Sequence, residues 1–309
     1  MAITTFAQMI AYARRCGPVR IAVAAAADRE VLLAVAQAQA EGLVDAILVG
    51  DEAGIRRLED ELDLDLGKAT IFDEPEAKRA AFQVISLVAQ GEADIVVKGQ
   101  LKTEELLGAA LRKEGGIREQ NLLTHVGIFE VPLLDRLIYI SDSGVVLYPD
   151  INQKLQIIQN AVDVAHCFGI MSPRVAILSA TEYVHPSLPG SIDGLALSRM
   201  AQQGWVEGAM VDGPMSLDVA ISRRSAEIKE ASGPVAGQAD ILIVPNVEAG
   251  NTMAKSIQYF GHGRMAGVAV GARAPILINS RADQAETRFL SLAMAAILVC
   301  CRRESGRQR

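Results

Sequence analysis

A serine, an arginine and an aspartate follow an apolar strand near the end of the chain. The predicted strand at residues 276–278 leads into Ser280, Arg281 and Asp283, after which a helical pattern begins. In open α/β sheets, ligands bind in the crevice beyond the carboxyl ends of the strands. A hydroxyl, a guanidinium and a carboxylate at this place therefore favour a reaction site. The alternative is that Asp283 only caps the helix, while Ser280 and Arg281 fill a loop.

Lys98 and Gly99 follow a second buried strand, at residues 95–97. A glycine at this place lets backbone amides approach a ligand closely, as phosphate sites require. Thr103 then opens a helix with a hydroxyl cap. We predict that Lys98, Gly99 and Thr103 contribute to ligand binding. The alternative is a solvated lysine, because a short Val-Lys-Gly sequence is a weak signal on its own.

A third strand, at residues 240–244, ends in a proline and is followed by polar residues. These are Asn246, Glu248, Gly250 and Asn251, and the pattern places the next helix at residues 252–260. The amide groups at the start of such a helix are suited to binding an anion. We predict a pocket here, against the alternative of a turn whose polar side chains satisfy backbone donors.

Two further polar positions allow two interpretations each. Asp212 lies in a Val-Asp-Gly-Pro sequence. This is either a further strand that ends in a polar residue or an ordinary turn. His125 lies in a strand-like apolar run, where it is either an interior histidine or a ligand or proton donor. None of the 4 histidines has the paired spacing of a metal site. We therefore expect no metal.

Short β-branched runs alternate with helical stretches along almost the whole chain. This alternation predicts an α/β fold in which mostly parallel strands carry helices on both faces. Because 309 residues exceed what one core usually holds, we expect two doubly wound domains. Glycine and proline near residues 141–149 and 261–271 mark the boundaries. The predicted domains are residues 1–140 plus 268–309, and residues 141–267.

The composition narrows the classes of partner and location. A net charge of -7 and only 4% aromatic residues disfavour nucleic acid, so an anionic ligand must be small and held by a few cations. The apolar stretch at residues 289–301 is too short to cross a membrane and predicts either a buried helix or a partner surface. The start of the chain lacks the pattern of a signal peptide, and the cysteines lack metal or disulfide spacing. We expect reduced thiols and a cytoplasmic protein.

Five separated motifs, taken in order, resemble those of the phosphate acetyl/butyryltransferase family, and most closely its butyryl branch. They begin at Val97, Thr124, Val211, Pro245 and Ser280. The resemblance implies reversible acyl transfer between coenzyme A and inorganic phosphate, without a metal or bound cofactor. It also implies a fold similar to the isocitrate and isopropylmalate dehydrogenases, with an interdomain cleft, and a homodimer or larger homo-oligomer.

The resemblance departs from the family at the residue that acts as the base. In the related acetyltransferases an aspartate holds that place, whereas this chain has Thr287. A threonine hydroxyl cannot accept a proton from a thiol near neutral pH. Either Asp283 or Glu286 serves instead, or correct positioning of the reactants makes a base partly dispensable.

The hypothesis from the sequence is direct attack of phosphate on an acyl thioester in a ternary complex, giving butyryl phosphate and CoA from butyryl-CoA. Arg281 binds the phosphate and Ser280 stabilises the acyl oxygen, while Lys98, Asn246 and the helix amides after Gly250 complete the pocket. The first alternative is a phosphate acetyltransferase. An alternative of another class is a non-catalytic regulator that binds CoA or acyl phosphate. An oxidative decarboxylase on the same fold is disfavoured, because the aspartates are scattered.

Overall fold

A computed structural model of the protein describes residues 2–119 and 121–307. The described strands are β1 (Val19–Ala24), β2 (Val44–Gly50), β3 (Thr70–Asp73), β4 (Ile95–Lys98), β5 (Thr124–Glu130), β6 (Leu137–Ser141), β7 (Arg174–Leu178), β8 (Met210–Met215), β9 (Ile241–Ile243), β10 (Arg264–Val270) and β11 (Ile276–Leu277). The helices are α1 (Phe6–Arg15), α2 (Arg29–Ala40), α3 (Glu52–Glu61), α4 (Ala77–Ala89), α5 (Thr103–Ala110), α6 (Ile151–Cys167), α7 (Pro189–Gln202), α8 (Leu217–Ile221), α9 (Arg223–Ile228), α10 (Val247–Tyr259) and α11 (Ala285–Arg307).

The contacts divide the chain into two compact units. One comprises Phe6–Asn121 with Ala266–Arg309, and we call it the Lys98 unit. The other comprises Met1–Thr5 with Leu122–Met265, and we call it the His125 unit. Each is an α/β unit, and the predicted class of an α/β fold with mostly parallel strands is confirmed.

In the Lys98 unit the strand order is β3-β2-β1-β4-β11-β10. All neighbours run parallel except β10 and β11, which are antiparallel. The central strands β1 and β4 consist of Val, Ile and Ala with one basic residue each, and they are buried almost throughout. Helices cover the strands, as parallel sheets require. Helix α11 packs on β4, β11, α1 and α2, so its apolar stretch belongs to the core of this unit.

In the His125 unit the strand order is β5-β6-β9-β7-β8. The hairpin of β5 and β6 is antiparallel, and the remaining neighbours are parallel. Helices α6, α7, α8 and α10 pack against these strands. The carboxyl ends of β6, β9 and β8 lead into the segments that carry Asp142, Asn246 and Ser216.

The units differ from the predicted domain ranges at the first boundary, which lies between Asn121 and Leu122 instead of after residue 140. Strand β5 and all of β6 except Ser141 lie within predicted residues 1–140, yet both strands belong to the His125 unit because β6 hydrogen-bonds to β9 as well as to β5. The glycine-rich residues 261–271, predicted to be a break, contain the 7-residue strand β10. Glycine and proline mark local turns, whereas strand pairing decides which elements form one unit.

The structure bears on the expectations about a membrane-crossing segment and about the thiols. No helix in the described ranges is long and apolar enough to cross a membrane. Cys16 and Cys300 are free. Burial, with a hydrogen bond to Cys300, raises the pKa of Cys16 to about 12, so this thiol stays protonated at neutral pH.

Gly99 joins two loops at the carboxyl ends of neighbouring strands. Its amide donates to the Ala24 carbonyl and the next amide, of Gln100, donates to the Ala25 carbonyl, both at 2.8 Å. A Cβ atom on Gly99 would lie 2.2 Å from the Ala25 carbonyl oxygen, which is backbone and cannot rotate away. Ala25 itself has a φ of 53°, a conformation that costs an alanine free energy. Only glycine permits this approach.

We expect Gly99→Ala to lower the free energy of unfolding by about 1–3 kcal/mol, because the added methyl group forces the two loops apart. Gly108→Ala is the matched control, since Gly108 lies in helix α5 and a Cβ there meets nothing within 4 Å. The control is expected to stabilise by about 0.5–1 kcal/mol, as alanine replaces glycine in a helix. Urea denaturation of both variants measures this difference, and equal effects would contradict the packing argument.

Candidate active site

Lys98 is a buried lysine at the carboxyl end of β4. Lys98 is only 3% exposed. Its ammonium donates to the Leu101 carbonyl at 3.5 Å, which is the outer limit of a hydrogen bond. Strand β11 lies beside β4, with Leu277 opposite Val97. Lys98 and the residues that follow β11 therefore leave the sheet at the same edge.

The charges around Lys98 do not neutralise it. Its pKa is lowered, first by burial and then by the guanidinium groups of Arg288 and Arg281, and Asp28 and Asp283 oppose this shift only in part. Two guanidiniums and two carboxylates thus surround one weakly hydrogen-bonded ammonium. An anion bound here would supply both the missing charge and strong acceptors.

The segment that follows β11 closes on itself and presents two side chains outward. The Ser280 amide donates to Oδ2 of Asp283 at 2.9 Å, and the Asp283 amide donates to the Ser280 carbonyl at 3.1 Å. Oγ of Ser280 accepts from the Ala282 amide at 3.4 Å, which leaves the hydroxyl proton to be donated elsewhere. The side chains of Ser280 and Arg281 are exposed and accessible to a ligand.

Arg288 was missed by the reasoning from sequence. It is 4% exposed, and its Nε and Nη2 atoms donate to the carbonyls of Asp283 and Ser280 at 3.3 and 3.1 Å. The available signal was one arginine at the start of the apolar stretch of helix α11. A basic residue in such a stretch requires partners, because burying an unpaired charge is costly.

His125 lies in a buried cluster of polar groups in the other unit. Its Nδ1 is 3.0 Å from Oγ of Ser143, and its amide donates to Oδ2 of Asp142 at 2.9 Å. Oδ1 of Asp142 accepts from the amides of Gly144 and Val145, at 2.8 and 2.9 Å. This places His125 among polar partners near the start of a largely buried strand. Asp142 and Ser143 were missed, because their segment was interpreted as a domain boundary.

Helix α10 begins five residues earlier than predicted. It starts at Val247, and Asn246 is its N-cap, with Oδ1 accepting from the Ala249 amide at 3.0 Å. Gly250 lies inside the helix, where its amide donates to the Asn246 carbonyl at 3.1 Å. The predicted anion-binding amides after Gly250 are therefore helical, and this detail of the prediction is wrong. Gly250 is needed because a Cβ would lie 2.9 Å from the Asp142 carbonyl oxygen.

Two other residues of this predicted pocket lie on the first turns of the same helix. The carboxylate of Glu248 accepts a hydrogen bond from Tyr148 and raises the pKa of that phenol. The side chain of Asn251 is exposed. The amides that remain available at the start of α10 belong to the first turn, which Asn246 already caps.

The comparisons with known proteins decide the family. The family model described as Phosphate acetyl/butaryl transferase matches residues 5–85 and 76–296. The chain belongs to this family. It is 40% identical over 279 residues to the phosphate butyryltransferase of Clostridium acetobutylicum, covering 90% of this chain and 93% of that one.

Further relatives carry two different names. The chain is 39% identical over 296 residues to a phosphate acetyltransferase of Rhizobium meliloti, covering 96% of this chain and 94% of that one. It also superimposes on a branched-chain phosphotransacylase from Enterococcus faecalis V583 with a TM-score of 0.81, at 30% identity, over 91% of this chain and 99% of that one. The family resemblance in the sequence is confirmed.

Asp283 and Glu286, the two residues predicted to act as the base, and Thr287, which replaces the family's aspartate, differ in their surroundings. Asp283 is 9% exposed, and one of its carboxylate oxygens accepts from Ser280. Glu286 is exposed in the first turn of α11. Thr287 is half-buried, and its carbonyl accepts from the Ser291 hydroxyl at 2.8 Å. The three residues thus lie at the same end of one helix.

Two details predicted for the loop after β4 are wrong. The amides of Gly99 and Gln100 are engaged by the Ala24 and Ala25 carbonyls, so the glycine serves close packing of the two loops. Thr103 is not a cap, because the N-cap of α5 is Lys102. The amide of Lys102 donates to Oε2 of Glu105 at 3.2 Å, so a carboxylate one turn later satisfies the start of the helix.

We expect Lys98→Met to weaken phosphate binding by about 10- to 100-fold, because a hydrogen bond between charged groups typically contributes about 1.5–3 kcal/mol. Thermal stabilisation by inorganic phosphate measures the affinity. Lys102→Met is the matched control, since Lys102 is an exposed lysine of the same loop. Equal loss of stabilisation in the two variants would show that Lys98 has no particular role.

The pH dependence of stability provides a second measurement on the same variant. Because the folded protein lowers the pKa of Lys98 below its ordinary value near 10.5, the buried ammonium destabilises the fold below that lowered pKa. The penalty disappears as the pH rises towards 10.5. In phosphate-free buffer, Lys98→Met is therefore expected to gain stability over the wild type at pH 7–8 and to lose this advantage as the pH rises. Urea denaturation from pH 7 to pH 10.5 measures the difference in free energy of unfolding between the variant and the wild type. A difference that stays constant over this range would contradict a lowered pKa of Lys98.

Proposed function

We propose that the protein catalyses reversible transfer of a short-chain acyl group between coenzyme A and inorganic phosphate, with butyryl-CoA and phosphate giving butyryl phosphate and CoA. The observation that carries the proposal is the weakly hydrogen-bonded ammonium of Lys98 beside Arg281 and Arg288, at the carboxyl ends of β4 and β11. Such a place binds a small anion. Membership of the family supplies the reaction class.

In the proposed reaction, Arg281 binds phosphate through two parallel hydrogen bonds, and Lys98 adds a second positive charge. A phosphate oxygen attacks the thioester carbon, and the negative charge moves to the acyl oxygen. The hydroxyl of Ser280 donates to that oxygen, because its own acceptor position is occupied by the Ala282 amide. The C–S bond then breaks, the C–O bond to phosphate remains, and CoA leaves as a thiolate that takes a proton.

The reverse reaction needs a thiolate, and Asp283 and Glu286 are the proposed bases. One carboxylate oxygen of Asp283 accepts a hydrogen bond from the Ser280 amide. Glu286 is exposed in the first turn of α11, where its carboxylate is accessible to a substrate. Positioning of the two substrates alone can contribute about 7–11 kcal/mol when the reacting atoms are aligned, so the base adds to a larger effect.

The other predicted binding residues have two different roles in the proposal: some shape the backbone, and others are proposed to contact a substrate. Gly99 and Thr103 shape the loop that follows Lys98, and Gly250 allows α10 to approach the backbone of Asp142. His125, Asn246, Glu248 and Asn251 are proposed contacts of CoA or the acyl group. Their polar groups lie beyond the carboxyl ends of β6 and β9 or beside them.

The acyl length, the partners and the finer description of the fold are further parts of the proposal. Identities of 40% to a phosphate butyryltransferase and 39% to a phosphate acetyltransferase do not separate the two substrates. Comparison of rates with acetyl-, propionyl-, butyryl- and branched acyl-CoA separates them.

Three further parts of the proposal rest on the sequence alone: the dehydrogenase-like cleft, a cytoplasmic location, and the lack of a metal or bound cofactor. Self-association fits the exposed Trp205 and Phe260 of the His125 unit.

We expect Arg281→Ala to lower kcat/KM for phosphate by about 100- to 1000-fold, the effect typical of losing one preorganised group that stabilises transition-state charge. The assay is phosphate-dependent release of CoA from butyryl-CoA. Arg273→Ala is the control, because Arg273 is an exposed arginine of the same unit whose side chain donates to the Ala89 carbonyl at 3.4 Å, away from Lys98 in the pairing of the described residues.

The same measurements test the alternative of a regulator without catalysis. Tight binding of CoA by calorimetry, with no phosphate-dependent turnover in the wild type, would favour that alternative. Equal activity losses in the Arg281 and Arg273 variants would leave the reaction in place but reject Arg281 as the phosphate ligand.

A further inference from the structure

We propose that Arg288 is a positioning residue of the phosphate site, which holds the segment of residues 280–283 through two backbone carbonyls and adds a buried positive charge beside Lys98. This inference rests on the proposed function and names a residue that the family motifs in the sequence did not include. It concerns the Lys98 unit alone.

The geometry shows how Arg288 controls the segment that carries Ser280 and Arg281. Nη2 of Arg288 donates to the Ser280 carbonyl at 3.1 Å, and Nε donates to the Asp283 carbonyl at 3.3 Å. One planar guanidinium thus holds the first and last residues of the segment. Because the guanidinium is planar, the two carbonyls are held at a set distance and orientation. The direction of the Ser280 hydroxyl and of the Arg281 side chain follows from that backbone.

Arg288 carries a positive charge that is not needed for hydrogen bonds to two backbone carbonyls. Among the residues that the structure describes, no carboxylate forms an ion pair with it, and its side chain borders a cavity of about 10 Å³ walled by apolar groups such as Val97 and Leu292. A neutral amide can hold backbone carbonyls without the cost of burying a charge. A buried, unneutralised guanidinium is instead suited to binding an anion.

The neighbours of Lys98 show where that charge acts. The charged groups that influence its ammonium are Arg288 and Arg281, which repel it, and Asp28 and Asp283, which attract it. The repulsion from Arg288 is the largest of these effects after burial. A phosphate bound by Lys98 and Arg281 would remove this repulsion, because it carries negative charge into the centre of the group.

The same helix contains a matched comparison residue. Arg302 also donates to two backbone carbonyls, those of Arg273 and Ala272, at 2.7 and 3.2 Å. It is exposed, and it lies near the other end of α11. Arg302 therefore has the structural function of Arg288 without a place in the anion site.

The experiment compares Arg288→Met, Arg288→Lys, Arg302→Met and Arg302→Lys in the intact protein. Steady-state rates with butyryl-CoA and phosphate give kcat and the KM for each substrate. Arg288→Met is expected to raise KM for phosphate by about 10- to 100-fold, because one charge of the anion site is lost. Arg288→Lys keeps the charge and loses the planar fork. It is expected to keep KM for phosphate within about 3-fold and to lower kcat by about 10-fold or more, because misplacement of the reacting groups lowers the rate.

A pH profile separates this role from a purely structural one. Loss of the Arg288 charge raises the pKa of Lys98, so the alkaline limb of kcat/KM for phosphate moves to higher pH in Arg288→Met and stays in place in Arg288→Lys. The Arg302 variants are expected to match the wild type in both constants. An unchanged KM for phosphate together with an unmoved alkaline limb in Arg288→Met would overturn the proposal, and so would equal losses in Arg302→Met.

Two further measurements keep the inference separate from folding and from the proposed function. If Arg288→Met does not fold, the decision falls to Arg288→Lys, and an unchanged kcat in that variant overturns the proposal. Phosphate binding by calorimetry is measured in parallel. If the wild type binds phosphate without turnover, the proposed function fails, and weaker phosphate binding by Arg288→Met still supports the inference. A wild type that neither binds phosphate nor reacts with it rejects both.

Discussion

The buried ammonium of Lys98 is the constraint on which the proposed site depends. A lysine removed from water and placed near two guanidiniums raises the free energy of the folded state, and a single carbonyl at 3.5 Å compensates little of it. The position is determined by strand pairing, because β4 and β11 run in parallel and in register. In the proposed site, the negative charge of a bound phosphate would oppose this repulsion.

The segment of residues 280–283 lies between β11 and α11, outside both elements, so other groups must hold its backbone in place. The carboxylate of Asp283 and the guanidinium of Arg288 bind the backbone of this segment, and the side chains of Ser280 and Arg281 stay exposed. Preorganised groups of this kind stabilise charge as it develops, since they need no rearrangement during the reaction. The replacement of the family's aspartate by Thr287 is compatible with a mechanism in which this preorganisation contributes most.

Glycines at the strand ends have a packing function in both units. Gly99 lets the loops after β1 and β4 share hydrogen bonds, and Gly250 lets α10 approach the segment that holds Asp142 and His125. From sequence, both glycines resemble the flexible points of a phosphate-binding loop. This is why Gly99 was assigned free amides and why α10 was predicted to begin after Gly250, whereas each glycine lies where two backbones meet.

The order of residues was sufficient to indicate the α/β class, the strands before Lys98, Asn246 and Ser280, the helical nature of the apolar stretch in α11, and the family. These follow from local patterns of apolar residues and from short motifs, which do not depend on distant contacts. Only the tertiary structure showed that Arg288 holds the segment of Ser280, that Asp142 and Ser143 surround His125, and that β5 and β6 belong with β9. Burial and hydrogen-bond pairing are properties of residues far apart in the chain, so no local pattern encodes them.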